Sequence, residues 1–202
     1  MRLLVLGGSQ GALALNRLLP GALGLLTAEH EFVVRHQAGP RWVAETKEAY
    51  RKANIRAANG DAVAEGPEGH AAEVGPGGAK CRAEVTDFIE DMAAAYAWAD
   101  VVVCRAGALT VSEVAAAGVA AVFIPFPHAV DDHQTRNAEF LVEHDAALLM
   151  QESQTDARKL ANVLSSLAGD RARLASMATR GRAAAVPDAA DRVAALCREY
   201  VS

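Results

Sequence analysis

The chain has 202 residues, about half of them apolar, and a formal net charge of −5 at pH 7. This length fits one α/β domain with a single substantial core. The acidic balance, with a sequence pI near 5.7, argues against nucleic acid or an anionic membrane surface as the main partner, because both require a basic field.

The chain begins with a pattern of strand, turn and helix. Residues 2–6 form an apolar strand, residues 7–11 a glycine-rich turn, and residues 12–28 a helix with leucines on or near one face. A second strand is predicted over residues 31–36 and a second helix over residues 41–54. The start of the chain is therefore typical of an α/β fold.

The stretch between residues 55 and 80 has a different composition. It contains six glycines and two prolines and few large apolar residues, which predicts a flexible surface loop. Further strands are predicted at residues 83–85, 100–103, 119–124 and 146–150. Helices separate most of the strands, so we expect a Rossmann-like parallel sheet with helices on both faces.

After residue 150 the chain reads as helical throughout. Helices are predicted at residues 156–167, 171–185 and 188–199. The last has a clear start, because Pro187 and Asp188 precede the apolar stripe of Val193, Leu196 and Val201.

The start of the chain and its cysteines both indicate a cellular location. The chain starts with a strand where a secretory signal would have a charged segment and an apolar core, and no apolar stretch approaches about 18 uninterrupted residues. Cys81, Cys104 and Cys197 are odd in number and widely spaced, which suits reduced thiols, read as small core residues, in a cytoplasmic protein. Trp42 and Trp98 are expected to pack in the fold and not to stack on a ligand.

The glycine-rich turn Gly7-Gly8-Ser9-Gln10-Gly11 directly follows the first strand. Its amides should therefore face the carboxyl edge of the sheet, where open α/β sheets bind ligands. The spacing differs from G-x-G-x-x-G, and the second strand ends in His36-Gln37 where an NAD site has an acid, which disfavours a dehydrogenase. A tight bend without a ligand is the alternative interpretation.

The run from Cys104 to Glu113 follows an apolar strand and opens an alanine-rich helix. The amides of a first helical turn bind phosphate oxygens, and the Glu113 carboxylate is placed to accept hydrogen bonds from paired ribose hydroxyls. The run therefore predicts a nucleotide site. The alternative is that Glu113 lies in the first helical turn and only complements the helix dipole.

A third polar cluster lies between residues 125 and 137. Its imidazole and carboxylate groups, which are ordinary metal ligands, are His128, Asp131, Asp132 and His133. The spacing weakens the metal interpretation; Asp131 or Asp132 could instead cap the following helix. Gln134 and Asn137 supply the donors and acceptors that sugar hydroxyls favour. We predict sugar contacts, no metal and no cofactor.

Four ordered motifs, at residues 7–12, 87–96, 104–113 and 125–137, carry a resemblance. They resemble the carboxyl-terminal half of the MurG family, the peptidoglycan N-acetylglucosaminyltransferases of glycosyltransferase family 28. The resemblance implies one half of a GT-B glycosyltransferase, in which two Rossmann-like domains face each other across a cleft. The family moves N-acetylglucosamine from its UDP donor, with inversion, onto undecaprenyl-pyrophosphoryl-muramyl-pentapeptide (lipid I) to give lipid II.

The resemblance also implies which residues bind UDP-N-acetylglucosamine. The backbone of Ile89 would contact uracil, Ser9 the diphosphate, and Gln134 the sugar hydroxyls. The full set is Ser9, Ile89, Ala108, Leu109, Thr110, Val111, Ser112, Glu113 and Gln134. Further candidates are Gly8, Gln10, His128 and Asn137.

The family's amino-terminal half, which faces the acceptor and the membrane, has no counterpart in these residues. The resemblance places the general base there, so no catalytic residue is assigned, with His128 as an outside candidate. We expect residues 1–202 to be one UDP-sugar-binding domain that needs an acceptor domain or partner chain, peripheral to the inner face of the cell membrane when complete. The alternatives are a non-catalytic UDP-sugar-binding module and part of a UDP-sugar epimerase.

Overall fold

A computed structural model describes residues 1–8, 12–26, 30–58, 81–127 and 132–201. The strands in these ranges are β1 (Arg2–Leu6), β2 (Phe32–Gln37), β3 (Arg56–Ala58), β4 (Cys81–Thr86), β5 (Val101–Cys104), β6 (Ala120–Phe123) and β7 (Ala147–Leu149). The helices are α1 (Leu13–Gly24), α2 (Val43–Lys52), α3 (Met92–Trp98), α4 (Ala108–Ala117), α5 (His133–Val142), α6 (Ala157–Ala168), α7 (Arg171–Ala184) and α8 (Ala189–Val201).

All seven described strands belong to one parallel sheet, in the order β3-β4-β2-β1-β5-β6-β7. Parallel neighbours need crossover connections. Described helices lie in these connections except between β3 and β4, where residues 59–80 are not described. The chain places β2 beside β1 at one side of the sheet, and later places β6 beside β5 at the opposite side. The strand order therefore reverses between the adjacent strands β1 and β5. The predicted parallel α/β architecture is confirmed.

The sheet is buried on both faces because successive side chains of its central strands alternate between two cores. Leu3 and Val5 of β1 pack in one core, with α1 and α6, while Leu4 and Leu6 pack in the other, with α3 and α4. This period of two explains why β1 and β5 read as continuous apolar runs. Trp42 and Trp98 pack against these cores, as expected.

The predicted loop over residues 55–80 is wrong at its start. Ile55 is buried, and Arg56–Ala58 form the edge strand β3, which pairs with β4. The Arg-Ala-Ala sequence of β3 lacks the β-branched or aromatic side chains that indicate a strand. Residues 59–80 lie outside the described residues.

Several other boundaries and placements differ from the sequence predictions. Helix α1 ends at Gly24, not at residue 28, and residues 27–29 are not described. Cys197 is exposed and not a core residue. Helix α8 exposes Val193 and Leu196. Within the described ranges, no helix combines the length and apolar character needed to cross a membrane.

Candidate functional site

The predicted binding segments meet at one edge of the sheet. They follow β1, β4, β5 and β6, and carboxyl ends of parallel strands lie at the same edge. Leu6 pairs with Cys104, and Cys104 pairs with Phe123, so the segments after three of these strands are direct neighbours. This edge includes the point where the strand order reverses, which is where ligands bind in open α/β sheets.

The start of α4 offers unpaired backbone amides. Gly107 is the N-cap residue and provides no side chain to bond them. The amides of Ala108, Leu109 and Thr110 precede the first intrahelical acceptor that a helix can offer. They form a donor set with the positive end of the helix dipole behind it, which suits phosphate oxygens.

The next two residues of the predicted site, Val111 and Ser112, already make hydrogen bonds to the preceding turn of the chain. The amide of Val111 donates to the Gly107 carbonyl at 2.9 Å, and the Val111 side chain is buried in the core. The Ser112 hydroxyl donates to the carbonyl of Ala108 at 3.0 Å. The free donors at this helix start are therefore those from Ala108 to Thr110.

Glu113 is held by a side chain from another helix. Helix α4 begins at Ala108 and has no acidic residue in its first turn, so the prediction that Glu113 lies there is wrong. The dipole effect decays within that turn, and it does not account for this carboxylate. The hydroxyl of Tyr96 on α3 donates to Glu113 Oε2 at 3.0 Å. Sequence reasoning gave Tyr96 no role, since it appears there only as the last residue of the motif at residues 87–96.

The charge of Glu113 affects its buried neighbours. Burial, together with the hydrogen bond and charge of Glu113, raises the pKa of Tyr96, so the phenol stays protonated and donates. Burial and the same carboxylate raise the pKa of the Cys104 thiol. Cys104 is therefore an inert thiol beneath the site and no nucleophile.

Helix α5 is fastened to the site by its two amide side chains. Gln134 Oε1 accepts from the amide of Phe126 at 3.0 Å, and Asn137 Nδ2 donates to the carbonyl of Ala106 at 3.0 Å. Among the described residues, no side-chain hydrogen bond engages the NH₂ group of Gln134 or the oxygen of Asn137. Asn137 thus lies beside the turn that leads into α4, and Gln134 lies beside the segment that follows β6.

The cluster that suggested a metal site is only partly described. His128 and Asp131 lie outside the described residues. Asp132 is the N-cap residue of α5, yet its carboxylate accepts from the Thr135 hydroxyl at 2.7 Å and makes no cap bond to an amide. Within the described ranges, no group of three or more His, Cys, Asp or Glu side chains is placed to hold a metal ion.

Arg105 braces the edge of the sheet, and sequence reasoning missed it. Its Nη1 donates to the carbonyls of Ile124 and Pro125, both at 2.9 Å, and pairs with Glu152 Oε2 at 2.5 Å. The guanidinium also lies over the ring of Phe126. A charged residue directly after a buried strand was the available signal. Arg105 thus ties the end of β5 to the segment that leads to Gln134.

The segment after β4 is braced by two carboxylates. Asp87 accepts from the amide of Phe88 at 2.8 Å, and Asp91 caps α3 by accepting from the amide of Ala94 at 2.8 Å. Ile89 lies between them, partly buried against the core. The backbone that the family resemblance assigns to uracil is thus fixed at both ends.

The turn after β1 is only partly described. Gly8 has φ of +74°, a conformation that favours glycine, and a Cβ there would meet nothing within 4 Å. The amide of Gly7 donates to the carbonyl of Gln37 at 3.1 Å. Ser9 and Gln10 lie outside the described residues.

Three large apolar side chains are exposed at the same edge. Phe88, Leu109 and Phe126 follow β4, β5 and β6, and Leu109 is 74% exposed. Large apolar side chains left exposed at one edge of a sheet are found on surfaces that meet a ligand or another protein surface.

The chain matches known proteins along nearly its whole length. Residues 2–193 match the family model of the glycosyltransferase family 28 C-terminal domain. A UDP-N-acetylglucosamine--N-acetylmuramyl-(pentapeptide) pyrophosphoryl-undecaprenol N-acetylglucosamine transferase of Ralstonia nicotianae is 49% identical over 197 residues, which are 98% of this chain and 47% of that protein. The transferase of the same name from Azotobacter vinelandii is 46% identical over 199 residues, with coverages of 98% and 49%.

A solved structure gives the same result. The crystal structure of Acinetobacter baumannii MurG aligns with a TM-score of 0.79 and 41% identity, covering 98% of this chain and 49% of that one. The chain thus spans about half the length of the relatives it matches. The resemblance identified from four motifs is confirmed, and the chain belongs to glycosyltransferase family 28, in which it corresponds to the carboxyl-terminal half of a GT-B enzyme.

Proposed function

We propose that this chain is the UDP-N-acetylglucosamine-binding part of an inverting N-acetylglucosaminyltransferase that converts lipid I to lipid II in peptidoglycan synthesis. Its relatives are named as transferases that act with UDP-N-acetylglucosamine and N-acetylmuramyl-(pentapeptide) pyrophosphoryl-undecaprenol, which supports this reaction. The observation that carries the proposal is the uncapped start of α4 with Glu113 held beside it, at the edge where the strand order reverses.

The amides of Ala108, Leu109 and Thr110 would act on the leaving group. Transfer of the sugar leaves negative charge on the diphosphate of UDP. Fixed donors aimed at developing charge stabilise it without reorganising during the reaction. This chemistry is supplied by the chain's own backbone and requires no metal ion.

The other parts of the donor would each be bound by a different segment of the chain. The backbone at Ile89 would bind the uracil, the Glu113 carboxylate the ribose hydroxyls, and the NH₂ group of Gln134 the sugar hydroxyls. Ser9 would contact the diphosphate. The bonds that already engage Gln134 Oε1 and Glu113 Oε2 support these roles, because they fix each side chain before the donor arrives.

The acceptor would be bound by a second, amino-terminal domain or a partner chain. Phe88, Leu109 and Phe126 support this because they are exposed at the edge that would face the cleft. That second part would provide the general base and contact the lipid-linked acceptor, so the complete enzyme would work at the inner face of the membrane. Residues 1–202 would form the donor domain.

The substitution Glu113→Gln tests the proposal by calorimetry. If the carboxylate accepts from the ribose hydroxyls, UDP affinity should fall about tenfold or more, because charge-assisted hydrogen bonds are lost. 2′-Deoxy-UDP, which keeps only the 3′-hydroxyl, should bind the unmodified chain more weakly and should lose less affinity on substitution than UDP does, since the contact to the 2′-hydroxyl is already absent.

Glu139→Gln is the matched control. It removes the same charge from an exposed position on α5 and should leave the affinity for both ligands unchanged. Equal losses of UDP and 2′-deoxy-UDP affinity in Glu113→Gln would refute a contact to the 2′-hydroxyl. Absence of UDP binding by the unmodified chain would refute the proposed function.

A further inference from the structure

The hydrogen bond between Tyr96 and Glu113 joins two parts of the candidate site. Tyr96 lies on α3, which begins directly after the segment containing Ile89, and Glu113 lies on α4. The two helices pack against each other. The hydroxyl donates to Glu113 Oε2 at 3.0 Å, and it is the donor because an ionised carboxylate only accepts.

The environment of this bond distinguishes it from a surface contact. Tyr96 is only 5% exposed, and a buried phenol needs a hydrogen-bond partner. Its partner is a half-buried carboxylate, which has two oxygens and several acceptor positions. Among the described residues, Glu113 accepts no second side-chain hydrogen bond. One oxygen is thus anchored by the protein while the other keeps its acceptor positions.

We infer that Tyr96 is a positioning residue that fixes the Glu113 carboxylate for the ribose of the donor. The inference rests on the proposed function and adds a residue to it. Tyr96 holds Oε2, so that Oε1 is presented in one orientation. Because the same tyrosine is carried by the helix after Ile89, it also keeps the uracil segment and the ribose carboxylate in register.

The expected effect follows from the freedom of the glutamate side chain. A carboxylate that is already anchored loses little conformational entropy when the ribose binds, whereas a free one must be ordered at that moment. Removing the hydroxyl should therefore weaken UDP binding about three- to tenfold. The loss should depend on the ribose hydroxyls, because they are the only groups that the carboxylate serves.

The test is Tyr96→Phe, alone and combined with Glu113→Gln, with UDP and 2′-deoxy-UDP in calorimetry. Tyr50→Phe is the matched control, because it removes the hydroxyl of another buried tyrosine, which bonds to His36 in the opposite core. Thermal unfolding of each variant reports its stability. Tyr50→Phe should lower the melting temperature and leave both affinities unchanged.

Tyr96→Phe should weaken UDP binding more than it weakens 2′-deoxy-UDP binding, because 2′-deoxy-UDP keeps only one of the two hydroxyls that the carboxylate would bind. In the Glu113→Gln background, Tyr96→Phe should have little further effect, so the two losses are not additive. Equal losses for both ligands, additive losses, or a Tyr96→Phe protein that no longer unfolds cooperatively would overturn it.

The outcomes separate the inference from the proposed function. If Glu113→Gln weakens UDP binding and Tyr96→Phe does not, the proposed function stands and the role of Tyr96 is refuted. If Glu113→Gln has no effect on UDP binding, both are refuted.

Discussion

The hydroxyl of Tyr50 lies 2.9 Å from Nδ1 of His36, and both side chains are completely buried. Asn16 Nδ2 donates to the carbonyl of Ala38, so the Asn16 oxygen faces Nε2 of His36, at 2.9 Å. Nε2 must then carry the proton, and Nδ1 accepts from Tyr50. The neutral imidazole is satisfied on both sides, and burial lowers the pKa of His36 to about 3.

Acid should destabilise the fold through His36. The unfolded chain binds a proton near the ordinary pKa of about 6.5, whereas the folded chain binds it only near 3. The stabilisation is therefore complete above the unfolded pKa and is lost as the pH falls below it. Denaturant unfolding at about pH 5 should give a free energy of unfolding about 2 kcal/mol lower than at about pH 7.5.

His36→Gln is the control for this pH dependence. Glutamine has no titratable group, so the difference between the two pH values should shrink by most of that amount. An unchanged pH dependence in the variant would mean that other groups cause the loss.

Three aspartates cap helices in the same way, and they allow a matched comparison. Asp91, Asp156 and Asp170 each accept from the backbone amide three residues later at 2.8 Å, at the starts of α3, α6 and α7. Replacing any of them by alanine should lower the free energy of unfolding by about 1 kcal/mol. Only Asp91→Ala should also weaken UDP binding, because Asp91 fixes the segment with Ile89 and the helix with Tyr96. Similar UDP affinity in all three variants would contradict this.

Arg105→Met should weaken binding of the sugar more than binding of the nucleotide. The variant leaves the carbonyls of Ile124 and Pro125 without their donor and Glu152 without its partner, at a cost of about 1–3 kcal/mol in stability. The segment leading to Gln134 loses its brace, so affinity for UDP-N-acetylglucosamine should fall more than affinity for UDP.

Arg180→Met is the control for Arg105→Met. Arg180 pairs with Asp145 at 3.0 Å on an exposed surface, and such pairs contribute little. This variant should leave both affinities and the melting temperature nearly unchanged. Equal losses of UDP and UDP-N-acetylglucosamine affinity in Arg105→Met would argue against a role in sugar binding.

The 202-residue chain alone should bind UDP and show no transfer to the lipid acceptor. Positioning two substrates together contributes roughly 7 kcal/mol or more to catalysis, and the chain spans about half the length of its relatives. Assays with radiolabelled donor and lipid acceptor should give no product above background. Adding the amino-terminal half of a relative should restore turnover; turnover by the chain alone would contradict the proposed division of roles.

Patterns of apolar residues predicted the sheet, because the strands of its centre are buried on both faces and read as continuous apolar runs. They failed at β3, whose Arg-Ala-Ala sequence takes its structure from pairing with β4. At the candidate site, the motif around Glu113 was recognised from order and spacing. Tyr96 and Arg105 were missed because their partners lie at least 17 residues away in sequence, and only the packed fold brings them together.

Gly107 makes the unliganded protein less stable than a residue with a capping side chain would. Its φ of −63° and ψ of 146° suit any residue, and a Cβ there would lie 3.8 Å from the Thr110 hydroxyl, an ordinary contact. Neither backbone nor packing requires a glycine, and a serine or aspartate would cap α4 and stabilise the fold. Such a cap would occupy the amide of Leu109 or Thr110. Under the proposed function, the chain forgoes thermal stability at this helix end to keep the place of an anion open, a trade of stability for activity.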